Sequence, residues 1–129
     1  MARILVIDDE KDVCDVLCRI LAAHGHAPVA TYDGDEGLAA FRAEPAEIVV
    51  TDVIMPRQEG LETILELRRI QPAVKIIAIS GGGSGGAGEY LALAKQLGAR
   101  RTLTKPIGSE ELLAAVAELL MDLDDYAPV

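Results

Sequence analysis

The sequence contains no tryptophan and a single phenylalanine, Phe41. A core built on aromatic packing is excluded, so Ile, Leu, Val and Ala must fill the interior. Half of the 129 residues are apolar, ample for one core in a chain of single-domain size. That aliphatic composition suits a parallel sheet covered by helices better than an aromatic-rich sandwich. Positive charge is also scarce: 12 Lys and Arg stand against 21 Asp and Glu, a net charge of -9. Such a surface repels polyanions, so direct nucleic-acid binding is disfavoured; a metal ion or a basic protein patch is favoured as a partner. No apolar run approaches the roughly 20 residues of a membrane span. Met1-Ala2-Arg3 leads straight into Ile4-Leu5-Val6-Ile7, without a leader and cleavage site, and the expected location is cytoplasmic. The two cysteines, Cys14 and Cys18, sit one helical turn apart, a poor geometry for a disulfide. No further zinc ligands lie nearby at usual spacing, so they read as reduced, partly buried thiols. His24 and His26 flank a helix stop, where a dipole or surface role fits better than catalysis.

What the sequence does contain is alternation. Five short β-rich runs alternate with five helical patterns. Ile4 to Ile7 is continuously apolar, as a strand buried on both faces should be. Val13, Val16, Leu17, Ile20 and Leu21 then form a helical stripe that stops at Gly25. Ala27 to Thr31 is a weaker strand, Asp33-Gly34 a turn, and a short helix runs through Leu38 and Phe41 and ends before Pro45. Ile48-Val49-Val50-Thr51 is the third strand and delivers Asp52 at its end. Leu61, Ile64, Leu65 and Ile70 mark a third helix before Pro72. Val74 to Ile79 is the fourth strand, ending at Ser80. Six glycines follow, Gly81, Gly82, Gly83, Gly85, Gly86 and Gly88. A fourth helix carries Leu91, Ala94 and Leu97 and stops at Gly98. Arg101 to Thr104 is the last strand, ending at Lys105-Pro106. Ser109 is expected to cap a final helix with Leu112, Val116, Leu119, Leu120 and Leu123 on its buried stripe. With right-handed crossovers, five such units make an open, doubly wound parallel α/β sheet with helices on both faces. The expected organisation is one domain over residues 1–123 and a short acidic tail over 124–129.

In such sheets ligands bind at the carboxyl ends of the strands. Strand one ends in Asp8, Asp9 and Glu10, strand three in Asp52, strand four in Ser80 and strand five in Lys105. All should converge on one rim. Two carboxylates about 4 Å apart repel by about 4 kcal/mol at an effective dielectric of 20, so the acids ask for a cation. Hard oxygen ligands suit Mg²⁺, with Mn²⁺ as a substitute. Lys105 adds a fixed positive charge and Ser80 a hydroxyl donor. A carboxylate, a divalent metal, a lysine and a hydroxyl make a phosphoryl-transfer site in which Asp52 attacks phosphorus and becomes an acyl phosphate. Taken singly, Asp8 and Asp9 could be helix-capping acids, Asp52 a turn former, and Ser80 or Lys105 an ordinary strand end. The combination carries the reading. Asp9 is expected to lie deeper than Glu10, which is either a third metal ligand or the start of the first helix.

The motifs Val6-Ile7-Asp8-Asp9-Glu10, Thr51-Asp52-Val53-Ile54-Met55-Pro56, Ile79-Ser80-Gly81 and Thr104-Lys105-Pro106 resemble those of bacterial response regulator receiver domains, over about residues 3 to 121. The resemblance implies a flavodoxin-like (βα)5 fold with strand order 2-1-3-4-5. It implies that Asp52 is the phosphoacceptor, and that Asp9, Asp52 and the backbone carbonyl of Ile54 bind Mg²⁺ directly, with Asp8 acting through water. Ser80 and Lys105 would hold phosphoryl oxygens, and the Lys105-Pro106 peptide would be cis. The donor would be a phosphohistidine on a sensor histidine kinase or a phosphotransfer protein. A downstream protein would bind the face made by the fourth helix, last strand and last helix. Two features depart from the family: Thr102 stands where an aromatic switch residue is usual, and the segment after Ser80 is unusually rich in glycine. Switching is therefore expected to rest on Gly81, Gly82 and their neighbours rather than on an aromatic ring at Thr102.

Two other readings compete. A phosphatase of the haloacid dehalogenase type also uses Asp, Mg²⁺, Lys and Ser or Thr, but needs a second acid two residues after the nucleophile. Here that residue is Ile54. A degenerate receiver used only as a binding module is the other, and the complete set Asp8, Asp9, Asp52, Ser80 and Lys105 argues against it. No output domain is visible. A stand-alone regulator, a relay intermediate and a domain excised from a longer protein all fit the sequence.

Overall fold

The structure, a computed structural model, describes residues 2–54, 59–81 and 87–121. Its strands are β1 (Arg3–Ile7), β2 (Ala27–Thr31), β3 (Ile48–Asp52), β4 (Lys75–Gly81) and β5 (Arg101–Lys105). Its helices are α1 (Lys11–Ala23), α2 (Gly34–Ala43), α3 (Glu59–Ile70), α4 (Ala87–Leu97) and α5 (Ser109–Leu120). All strand pairs are parallel, in the order β2-β1-β3-β4-β5. The doubly wound α/β expectation holds.

Side-chain alternation divides the interior into two layers. Ile4, Val6, Ile48, Val50, Ile77 and Ile79 face α1 and α5, where they meet Leu17, Leu21, Leu112 and Val116. Leu5, Ile7, Val49, Ile76 and Ala78 point the other way, onto Phe41 of α2, Ile64 and Leu67 of α3 and Ala94 of α4. Every residue of β3 is buried, which explains its apolar run Ile48-Val49-Val50. α1 and α4 end at Gly25 and Gly98, whose φ angles of 88° and 122° an L side chain rarely adopts.

The structure corrects several details of the periodicity. Val16, Leu65 and Ile70 are exposed, because a strictly apolar stripe is wider than the contact line of helix on sheet. Ser109 does not cap α5 but is its first residue. Gly108 is the cap, and its N–H donates to Glu111 Oε1 at 3.1 Å. β4 starts at Lys75 rather than Val74 and runs on through Ser80 to Gly81. Met55, Pro56, Gly82, Gly83, Gly85, Gly86, Leu123 and the expected acidic tail lie outside the described residues.

Candidate functional site

The parallel register brings the polar strand ends to one rim. Asp52 stands level with Ile79, so β4 outreaches it by two residues, and Gly81 is level with Lys105. Asp8 follows Ile7 directly, and its N–H still donates to the Thr31 carbonyl at 3.1 Å, which extends β1 past its last paired residue. That ladder bond pulls Asp8 into the interior. Asp8, Asp52 and Ser80 are all buried.

Lys105 closes the site from β5. Its Nζ donates to Asp52 Oδ2 at 2.8 Å and to Glu10 Oε1 at 2.6 Å. Asp8 Oδ2 lies 2.9 Å from the same nitrogen as an ion pair, but without hydrogen-bond geometry, and has no hydrogen-bond partner. One ammonium thus serves three carboxylates. Their charges hold the Lys105 pKa above the usual lysine range despite partial burial. For Asp8 burial wins: desolvation raises its pKa to about 6, and the Glu10 N–H and the shared Lys105 offset this only in part. Asp9 is raised too, by burial first and then by the charge of Asp8.

Asp52 is fixed by its neighbours. The Ile54 N–H donates to Asp52 Oδ1 at 2.8 Å, and the Thr51 hydroxyl donates to the Asp52 carbonyl at 3.2 Å. The Ile54 side chain is exposed at the rim and offers no proton, which removes the leaving-group acid of the phosphatase reading. Among the described residues Ser80 Oγ donates to the Gly81 carbonyl, at a weak 3.5 Å. The Lys105-Pro106 peptide is cis. Thr102 is half-buried on β5.

Among the described residues, one group of carboxylates could hold a metal: Asp8, Glu10 and Asp52, with oxygens within 4.8 Å of one another. The group fits a hard cation. All its donors are carboxylate oxygens, and the unpartnered buried oxygen of Asp8 lacks a positive neighbour with proper geometry. Asp9 falls outside this group. Asp9 and Glu10 are both exposed; the buried acid of the run is Asp8, because β1 carries it inward. Glu10 is the residue that sequence reasoning left undecided. It takes the N-cap position of α1 and also reaches Lys105.

Beside Lys105 a groove of about 670 Å³ opens between α1 and the segment after β5, walled by Val13, Val16, Leu17, Pro106 and Ile107. The exposed Val16 belongs to it.

Residues 4–117 match the response regulator receiver domain family. The chain belongs to that family. This receiver domain is 36% identical over 118 residues to the response regulator MprA of Mycolicibacterium vanbaalenii, covering 92% of this chain and 50% of MprA. It therefore spans about half the length of that relative. The receiver domain of NtrX from Brucella abortus superposes with a TM-score of 0.85 at 30% identity, covering 92% of this chain and 98% of the other. A receiver domain protein from Clostridium thermocellum gives a TM-score of 0.87 at 27% identity, covering 98% and 99%. The strand order of the present chain is the one expected of receiver domains. Among the described residues no helix is long and apolar enough to cross a membrane.

Proposed function

We propose that this receiver domain accepts a phosphoryl group on Asp52 from a phosphohistidine donor and signals, or relays onward, through phosphorylation-dependent binding in the cytoplasm. The observation that carries the reading is the contact of Lys105 Nζ with Asp52 Oδ2 at 2.8 Å, in a pocket of buried acids at the end of β3. An ionised carboxylate needs no base. An Asp52 oxygen attacks phosphorus, the P–N bond of the phosphohistidine breaks, and the imidazole leaves with the electron pair. The Ile54 N–H holds the non-attacking oxygen. Lys105 and the Ser80 hydroxyl then neutralise and orient the transferred oxygens.

Mg²⁺, or Mn²⁺ in its place, would be held by Asp8 and Asp52 of the carboxylate group, with Asp9 from the exposed rim and the Ile54 carbonyl as further ligands once the ion draws them in. Bound there, it supplies charge neutralisation at the incoming phosphoryl oxygens. The domain is not an enzyme acting on a separate substrate; at most it promotes its own phosphorylation and slow hydrolysis. The donor is a sensor histidine kinase or a phosphotransfer protein, and the apolar groove beside Lys105 gives it a landing surface next to the acceptor. A downstream protein would read the α4, β5 and α5 face.

The test is labelling with a small phosphodonor and Mg²⁺. One phosphoryl group is expected on the wild-type chain and none on Asp52→Asn. Stoichiometric labelling of that variant at another residue would refute the assignment.

A further inference from the structure

The three carboxylates around Lys105 are not equivalent. Asp8 and Asp52 form a floor, with side chains 0% and 3% exposed, whereas the Glu10 side chain is 61% exposed and lies on the solvent side. Glu10 nevertheless makes the shortest contact, 2.6 Å. Its backbone is pinned at both ends: the Glu10 N–H donates to Asp8 Oδ1 at 2.9 Å, and its carbonyl accepts the Cys14 N–H at 3.0 Å. Only the side chain is free to swing. As an acid at the start of α1 it has a local task available, the capping of its own helix, yet it makes no side-chain cap bond. It reaches instead across 95 residues of sequence to Lys105.

We infer that Glu10 is a displaceable counter-ion that covers Lys105 and decides which phosphodonors gain access to it, an inference that rests on the reading of Asp52 as acceptor. The Lys105 ammonium has three protons, and three carboxylates surround it. Asp52 and Glu10 take two of its hydrogen bonds and Asp8 closes a third side as an ion pair, so a phosphoryl oxygen arriving from the solvent side meets Glu10 first. Asp8 and Asp52 are held in the floor, so Glu10 is the one that yields. A free anionic donor has nothing to offer the departing carboxylate and meets its charge on entry. A donor protein with a cation beside its phosphohistidine gives Glu10 a new partner as it leaves Lys105. Glu10 therefore disfavours small dianionic donors relative to such a protein.

The experiment is a beryllofluoride titration at saturating Mg²⁺, followed by amide NMR shifts, on the wild-type chain, Glu10→Gln and Asp12→Asn. Asp12 is an exposed acid in the first turn of α1 that lines the neighbouring groove, a surface the small mimic does not use, and its variant removes the same charge nearby. Glu10→Gln should bind the phosphoryl mimic about two- to fivefold more tightly, the worth of a largely exposed ion pair. Asp12→Asn should match wild type. Labelling rates should move in parallel: the advantage of dianionic acetyl phosphate over phosphoramidate should grow in Glu10→Gln. Unchanged or weaker binding by Glu10→Gln would overturn the inference, and so would an equal gain in Asp12→Asn, which would reduce the effect to net charge. A wild-type chain that binds no mimic, and does not differ from Asp52→Asn, would instead remove the acceptor reading beneath it.

Discussion

Gly60→Ala tests whether the position of the acceptor is set by the close approach of α3. Gly60 is the second residue of that helix, and its backbone is not in the left-handed region, so its lack of a side chain must serve space rather than conformation. A Cβ built there would press on the Asp52 carbonyl oxygen and the Val53 Cα, with the Val53 carbonyl carbon at 2.8 Å. All three are main-chain atoms, which cannot rotate aside. Real Cβ atoms essentially never approach within 3.0 Å, so β3 or α3 must shift. Overpacking costs about 1–3 kcal/mol, and the helix preference for Ala over Gly returns about 1, leaving a net loss of about 0–2 kcal/mol. The effect on chemistry should be larger, because a reacting group displaced by about 1 Å can lose about 100-fold in rate. Moving the Asp52–Val53 peptide moves the carboxylate off Lys105 and off the Ile54 N–H. Stability would be read by urea unfolding and function by the labelling rate at a temperature where the variant stays folded. Gly88→Ala, where nothing lies within 4 Å, is the matched control and should lose neither. A Gly60→Ala chain labelled at the wild-type rate would refute the reasoning.

The raised pKa of Asp8 makes metal-free stability depend on pH. The native state holds that proton more tightly than the unfolded chain, so stability is fully present below about pH 4 and is lost as pH rises to about 6. Relative to wild type, Asp8→Asn should flatten that window and gain up to about 3 kcal/mol at pH 7 in urea unfolding without metal, from a shift of about 2 units at about 1.4 kcal/mol each. Equal pH profiles for the two proteins would count against a buried, strained Asp8. Switching should run through the segment after Ser80 and not through Thr102: amide exchange over residues 81–97 should slow when beryllofluoride saturates Asp52, because Ser80 then gains a charge-assisted bond to the phosphoryl mimic. Unchanged protection at saturation would show that this segment is not the switch.

The site was legible where strand ends alone determine position. Ile4 to Ile7 and Ile48 to Val50 are apolar without interruption because both sheet faces are covered, so the first polar residue after each run must lie at the rim. Asp8 follows from that rule directly and Asp52 one residue later, after the buried Thr51, whereas Lys105 ends a half-buried polar strand with no apolar run and is brought within contact distance by the sheet. Depth within the rim was not legible. Asp8 and Asp9 are the same residue type at adjacent positions, and only the ladder bond to Thr31, a partner supplied by β2, decides that Asp8 turns inward. The pairing of Glu10 with Lys105 was hidden for a similar reason. Local spacing offers Glu10 a helix to begin, and the competing cation is supplied by the far edge of the sheet.

Gly60 carries the same lesson in another form. Within its own helix it reads as a poor helix former, and no pattern in the neighbouring sequence requires it. Its reason is the backbone of a strand it packs against, an approach that leaves no trace in periodicity. Val16 errs in the opposite direction: the stripe placed it in the core, and the fold leaves it 48% exposed. An aliphatic side chain left in water beside Lys105, with Val13, Leu17 and Ile107 around it, offers apolar area to a protein that brings a phosphoryl group to Asp52. A small phosphodonor gains nothing from that surface. On the proposed reading the groove and the Glu10 counter-ion would act in the same sense, one rewarding a protein donor and the other hindering a free anion, and both involve the first turns of α1.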